Sequence, residues 1–439
     1  MKEQLSIIFA SFLIVVLLCS CSGDNTSATV DSSSKKPVIS VDDELPSESS
    51  LQEVQSSNAA SQTEPSSVHA YSSMKADSLQ QTLSSQVKID ADVFIPANMD
   101  HSNLKTYQGE MLHLDMEIIK EDLFGADAEV TETRQETKES RFPDEDYVLW
   151  ESADGSYLAG KGDMISFSSS KVPNVEQYLC LEPDAFEYNG DAFLSGKNLS
   201  FATEQESFTK LRELLDKLGV SISDDYLCYT IDHDTLIKEA DIYRSKLVEN
   251  ARETEARNED GTAITEDDIL AHLSEPNYTE EDDCYYFKLF ASADGYPVTR
   301  IENGIFSNGG WTPGSIANAI VSQDGVVQLY LYGIYESSET INQGPGLSLN
   351  DAVAALDEKY NSIILDGEYM VQEIAFEYVP ISHGDVLSVE LTPAWRFLIK
   401  HSLKFAGKMD NQVYTVDQYE YIMLNALTGE EILRDVGGV

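Results

Sequence analysis

Two cysteines stand two residues apart behind an apolar run, in Leu17-Leu18-Cys19-Ser20-Cys21-Ser22-Gly23. A pair spaced this way has three chemistries open to it: a redox couple, part of a metal clip, or a thiol that accepts a lipid. The other three of the five cysteines, Cys180, Cys228 and Cys284, are too few and too scattered for a disulfide framework. They read as small buried apolar thiols, with a Cys180–Cys228 bridge as the alternative in an exported chain. The one tight acid–imidazole group is Asp232-His233-Asp234, where metal binding or base catalysis is conceivable. On a strand, however, neighbouring residues point to opposite faces, so both carboxylates aim away from the imidazole. His272, His383 and His401 stand alone in polar or strand contexts and read as surface residues. Neither G-x-S-x-G nor H-E-x-x-H occurs. Gly304, Gly309 and Gly310 in IENGIFSNGGW read as loop turns, since no strand–loop–helix with a lysine follows. The sequence assigns no catalytic residue, no metal ligand and no cofactor.

What surrounds Cys21 decides its chemistry. Lys2 is followed by a continuous apolar stretch from Leu5 to Leu18, broken only by Ser6 and Ser11. At about fourteen residues it suits a signal-peptide core and is short for a membrane span. The Leu18-Cys19-Ser20-Cys21 run behind it resembles a bacterial lipobox, with an apolar residue at −3 and a small one at −1 of the acylated cysteine. Cutting before Cys21 leaves Ser20 at −1; cutting before Cys19 leaves Leu18, which is too large. The resemblance therefore implies a diacylglyceryl anchor on Cys21, with the mature chain on the extracytoplasmic face of the membrane. Charge excludes other partners. The 439 residues carry 29 Lys+Arg against 77 Asp+Glu, a net charge of −48. Nucleic acid needs basic side chains on its phosphates, and anionic lipid or wall polymers are repelled.

From Ser22 to about Ser85 the chain is rich in Ser, Gln and Glu, as in SSNAASQTEPSS and SLQQTLSSQ. Such a segment buries too little apolar surface to offset its ordering entropy and is expected to stay disordered. As a flexible tether of about 65 residues it would span roughly 40–50 Å on average.

The elements beyond it read as α+β: antiparallel-sheet-rich domains with few helices. Val87–Pro96 alternates as a half-buried strand, and Glu129–Thr133, Tyr147–Trp150 and Met164–Phe167 are further short strands. Thr203 and Glu206 form a capping box before a helix whose Phe208, Leu211, Leu214, Leu215 and Leu218 make one apolar stripe, ended by Gly219. Thr254–Asp283 is sharply acidic and lacks the EF-hand spacing, so it reads as a solvated connection rather than a calcium site. Asp294-Gly295 marks a hairpin between Tyr285–Phe290 and Tyr296–Arg300. Strand Val326–Tyr335 follows, then a helix capped by Ser348, and strands Tyr369–Pro380, Leu391–Lys400 and Tyr419–Ala426. The expected layout is a signal peptide over 1–20, a disordered tether over 21–86, a β-rich domain over 87–200, an α+β segment with the acidic connection over 201–275, and an α+β domain over 276–439.

Four of these pieces in order, DAVAALDEKY, YMVQEIAFEYVP, LTPAWRFLIK and YEYIMLNALTGEEI, resemble a PepSY-type unit, a helix on a small antiparallel sheet closed by an A-x-T-G-E turn. The arrangement over Tyr285–Val439 is similar to the extracytoplasmic YycH/YycI proteins that restrain a sensor kinase in Gram-positive bacteria, and the whole layout to uncharacterised Firmicutes lipoproteins. Those kinase regulators keep an uncleaved membrane helix, whereas this chain carries a lipobox. The resemblance implies a lipid-anchored, non-enzymatic protein that binds or regulates another envelope component. A wall-active or peptide-processing hydrolase and a solute-binding lipoprotein of a transporter are the alternatives. A solute binder would show two lobes of alternating strands and helices, an enzyme several histidines or carboxylates in one cleft, and a binding module an apolar groove or open sheet edge.

Overall fold

The computed structural model describes residues 75–96, 99–125, 128–135, 145–173, 175, 193, 196–253, 265, 277–301, 314–365, 367–382, 387–406 and 413–432. Cys19, Cys21, Cys180, His272, His383 and the glycines of IENGIFSNGGW lie outside them.

Sixteen strands form two sheets among the described residues. The first takes β1 (Lys75–Thr82), β2 (Val87–Ile95), β3 (Leu104–Met111), β13 (Tyr335–Gly344), β14 (Glu368–Ser382), β15 (Ser388–Ala406) and β16 (Val413–Asn425). Their order is β1-β2-β14-β15-β3-β13, with β16 against the later part of β15. The second takes β4 (Val130–Gln135), β5 (Tyr147–Ser152), β6 (Tyr157–Lys161), β7 (Met164–Ser168), β8 (Ile222–Ile231), β9 (Cys284–Ala293), β10 (Tyr296–Pro297), β11 (Ile316–Ser322) and β12 (Gly325–Tyr332). It runs β10-β9-β11-β12-β7-β6-β5-β4, with β8 on β9. Pairing is antiparallel except where β2 meets β14 in parallel. Among the described residues four α-helices accompany the sheets: α1 (Met116–Phe124), α2 (Glu204–Lys217), α3 (His233–Glu253) and α4 (Leu349–Asn361). The fold is α+β and sheet-dominated, as the sequence suggests.

The two helices with complete start signals form where those signals stand. Thr203 and Glu206 close their capping box at α2, and Ser348 and Asp351 do the same at α4. Phe208, Leu211 and Leu215 of α2 sink into the main core with Phe287, Leu289, Ala319 and Leu329 of the second sheet. On the opposite face of that sheet, Leu236 and Ala240 of α3 pack against Leu227, Tyr229, Ile231, Cys284 and Tyr286. Strands β8 and β9 are therefore covered on both sides and bury nearly every residue instead of alternate ones. On the first sheet, Ala352, Val353, Leu356 and Tyr360 of α4 lie over Trp395, Phe397, Ile399 and Ile422. Trp395 is fully buried and its Nε1 donates to the Leu347 carbonyl at 3.1 Å, so the ring is a core anchor.

Three expectations are corrected. The segment around SLQQT, read as part of the tether, is strand β1, paired with β2 from Lys75↔Ile95 to Thr82↔Lys88. A strand edge offers a row of backbone donors and acceptors, and pairing with it outweighs weak side-chain propensity. The strand read over Val326–Tyr335 is two strands. Gly333 sits at φ +61°, its amide bonded to the Asp163 carbonyl at 3.0 Å, and there the chain passes from the second sheet to the first. Third, the pairing runs across the boundaries expected at 200/201 and 275/276. Strands β2 and β3 join β13–β16 in one sheet, β7 pairs with β12, and Pro65–Val439 clusters as one compact unit. The Asp294-Gly295 turn stands as read, with both residues at positive φ, although β10 is only two residues long.

Candidate functional site

The Asp232-His233-Asp234 cluster does not sit on a strand. Strand β8 ends at Ile231, and Asp232 caps α3: its Oδ1 accepts from the Thr235 amide at 3.2 Å and its Oδ2 from the Thr235 hydroxyl at 2.9 Å. Burial opposes charge on Asp232, but these bonds and Lys197, 3.3 Å away, hold the carboxyl below its usual range. Asp234 is largely exposed, yet its Oδ1 lies 3.7 Å from His233 Nε2 and so is not turned away from the ring. The imidazole's partner comes from 50 residues on: Asp283 Oδ1 accepts from the His233 amide at 2.7 Å and faces Nδ1 at 2.8 Å. That bond raises the His233 pKa against the opposing effect of desolvation. The group is a helix cap with a charged brace.

The cysteines separate by face. Cys228 lies in the cluster under α2 and Cys284 in the cluster under α3, so the sheet stands between them and both are free thiols. Burial pushes both well above the ordinary thiol range, which leaves them un-ionised and unreactive. His401 packs its ring 5.0 Å from Tyr369 and meets Gln418 Oε1 at 3.1 Å.

A cleft of about 640 Å³ opens at the start of α2, against β8. Helical geometry places Glu204, Phe208 and Arg212 in one row, four residues apart. Facing them are Asp224 and Tyr226. The bulge between Ile222 and Tyr226 frees Asp224 from the sheet's alternation and turns it outward. The floor is aromatic: Phe208 and Tyr226 stack with centroids 4.0 Å apart, and the Arg212 guanidinium lies 5.4 Å from the Phe208 ring. Arg212 is held by Asp224 Oδ1 at 2.5 Å and by the Ile222 carbonyl at 3.3 Å, and the Tyr226 hydroxyl donates to Glu204 Oε1 at 3.0 Å. Asn198 and Gln205 complete a rim of amides and carboxylates. Thr203 spends its hydroxyl in the cap, bonded to Glu206 Oε2 at 2.9 Å. The cleft thus sets a fixed guanidinium, amides and carboxylates around an aromatic floor. Sequence reading found the helix but not the cleft, because the bulge that delivers Asp224 leaves no trace in the apolar pattern.

Two of the sheet edges are blunted. Strand β13 breaks register twice against β3 and carries Glu336 and Glu339, while β4 exposes Glu132 and Arg134. Among the described residues no group of three or more His, Cys, Asp or Glu is placed to hold a metal ion, and no helix is long and apolar enough to cross a membrane.

No protein-family model matches the chain. No curated protein matches it either. Among solved structures it is similar to the crystal structure, at 1.45 Å resolution, of an uncharacterised protein from Eubacterium rectale ATCC 33656. The TM-score is 0.57 at 15% sequence identity, covering 81% of this chain and 93% of that one. At that identity the likeness shows the fold alone.

Proposed function

We propose that the chain is a lipid-anchored extracytoplasmic protein of non-enzymatic binding or regulatory type, acting on another envelope component through the cleft between α2 and β8. The observation that carries the anchor is the Leu18-Cys19-Ser20-Cys21 run behind the Leu5–Leu18 apolar stretch. The cleft supports binding over catalysis because its side chains are engaged in holding one another and present amides and carboxylates outward. The antiparallel sheets speak against the two alternating α/β lobes expected of a solute binder.

The finer reading is that Leu349–Ile432 is a PepSY-type unit. What favours it is one helix over three consecutive antiparallel strands, closed by Ala426-Leu427-Thr428-Gly429-Glu430. There Gly429 takes φ +78° and its amide bonds to the Asn425 carbonyl at 2.8 Å.

Cys21→Ala tests the anchor. Wild-type chain should incorporate labelled fatty acid and sediment with membranes, whereas the variant should lose the label and either leave the membrane or persist as precursor. Acyl labelling unchanged in Cys21→Ala refutes the assignment. A photo-crosslinking residue at Gln205, in the anchored full chain, should capture an envelope component that the same residue at Ile341 on β13 does not.

A further inference from the structure

The face of β14 and β15 turned away from α4 carries charge where water hardly reaches. Glu373 and Glu377 alternate along β14 with Ala375 and Val379, and Arg396 lies on β15 between Ala394 and Leu398. The side chains of Glu377 and Arg396 are 3% and 7% exposed. Arg396 Nη2 donates to Glu373 Oε1 at 2.6 Å, while its Nε stands 2.9 Å from Glu377 Oε1 without the alignment of a hydrogen bond. Two carboxylates thus share one guanidinium. With both ionised, the triad keeps a net negative charge in a nearly dry place, which is costly unless a proton is retained.

Glu377 also takes a hydrogen bond from the Thr299 hydroxyl. Thr299 is fully buried in the segment that carries the chain from β10 across to the first sheet. Val298 bridges Tyr378 in parallel, the Thr299 amide donates to the Tyr378 carbonyl at 2.8 Å, and the Ser315 amide donates to the Thr299 carbonyl at 2.9 Å. The triad therefore lies directly against a seam that joins the two sheets.

We propose that Glu373, Arg396 and Glu377 form a proton-operated latch: with a proton on Glu377 the Val298–Ile301 segment stays packed on β14, and without it the net negative charge left in the dry triad draws in water and loosens the seam, outweighing the stronger bond that a carboxylate takes from Thr299. Among the described residues the groups facing Glu377 are Glu373 on its own strand, Arg396 on β15 and the Thr299 hydroxyl. Beyond them, Asp92 of β2 is in register with Glu373, and the Tyr421 ring of β16 lies 5.5 Å from the Arg396 guanidinium. Burial pushes the Glu377 carboxyl above the ordinary range and Glu373 adds to the push, against the opposing pull of Arg396 and Thr299. A carboxyl raised in the folded state binds its proton more tightly there than in the unfolded chain. Its stabilising proton is present below the ordinary glutamate value and is lost as pH rises through the raised one. The latch is thus closed in acid and opens toward alkaline pH, and it stands whether or not Cys21 is acylated.

Amide hydrogen exchange on the full chain tests it, at Thr299 and Ser315, from about pH 5 to about pH 8, with the intrinsic pH dependence removed. Wild-type protection at these amides should fall about tenfold for each unit by which the carboxyl is raised. Glu377→Gln, which preserves shape and the Arg396–Glu373 bond, should show no such slope. The Val220 amide, bonded to the Leu215 carbonyl at the end of α2 and away from the seam, should be flat in both. A slope shared by wild type and Glu377→Gln, or shared with Val220, overturns the latch. A carboxyl-carbon NMR titration of Glu377 in the wild type decides independently of whether the variant folds: a midpoint in the ordinary glutamate range overturns it too.

Discussion

Asp283 does for His233 what neither adjacent carboxylate does. It accepts from the backbone amide and faces the ring nitrogen with one oxygen, while Asp232 is spent on the cap and the largely exposed Asp234 comes no nearer than 3.7 Å to the ring's other nitrogen. The pair fastens the first turn of α3 to the start of β9, 50 residues away in sequence. Because the bond to Asp283 raises the folded pKa of His233, the ion pair's contribution is complete below the unfolded histidine value of about 6.5 and is lost as pH rises through the raised value. Asp283→Asn should bring the His233 NMR titration midpoint down toward that ordinary value. It should also shrink the stability difference between acidic and neutral pH. An unshifted midpoint in the variant would mean that Asp283 is not what raises the imidazole. Deleting the acceptor outright, Asp283→Ala, leaves two donors at a mostly buried site and should cost about 1–3 kcal/mol by denaturant unfolding. None of this was visible in Asp232-His233-Asp234, since the partner that matters is distant in sequence and the strand ends one residue earlier than the motif suggests.

At the scale of elements, what is legible is what is local. Helix α2 can be read because its cap, its stripe and its terminating glycine all lie within its own stretch, and Thr203→Ala should cost about 1 kcal/mol in urea unfolding. The same substitution should also loosen Glu204 and so the Tyr226 hydroxyl bond in the cleft. Unchanged stability would show that Glu206 alone satisfies the helix start. Helix α4 and strands β14 to β16 are readable for the same reason, long patterned runs between clear punctuation. Helix α3 is not, because its cap Asp232 directly follows a strand and its start reads as more strand. Strands β8 and β9 hide their role differently: with helices on both faces they show no alternation to read. Strand β1 is hidden by composition, since KADSLQQT is polar and is ordered only by the edge of β2 that it covers. The cleft inherits this limit, because half of it rests on a bulge in β8 that only the pairing with β9 reveals.

Across the whole molecule, the decisive feature is that neighbours in the sheets are remote in the chain. Strand β14 lies between β15 and β2, and β15 is flanked by β14 on one side and by β3 and β16 on the other. Val87, Ile89 and Val93 of β2 and Leu104 of β3 are buried in the same core as Ile374, Phe376 and Trp395. Removing 87–200 would therefore strip a parallel neighbour from β14, an antiparallel one from β15 and β13, and β7 from β12, exposing backbone donors and acceptors along each. It follows that 276–439, a domain by its resemblance, should not fold by itself. Expressed alone, it should give a collapsed amide spectrum and no cooperative urea transition. The 65–439 chain should give a dispersed spectrum and lose both sheets in one transition. Mixing 276–439 with 65–275 should recover native signals, since the missing strands are then supplied in trans. A well-dispersed spectrum and a sharp transition from 276–439 alone would show that its helix and three long strands suffice, and that β2 and β3 merely extend a unit already complete.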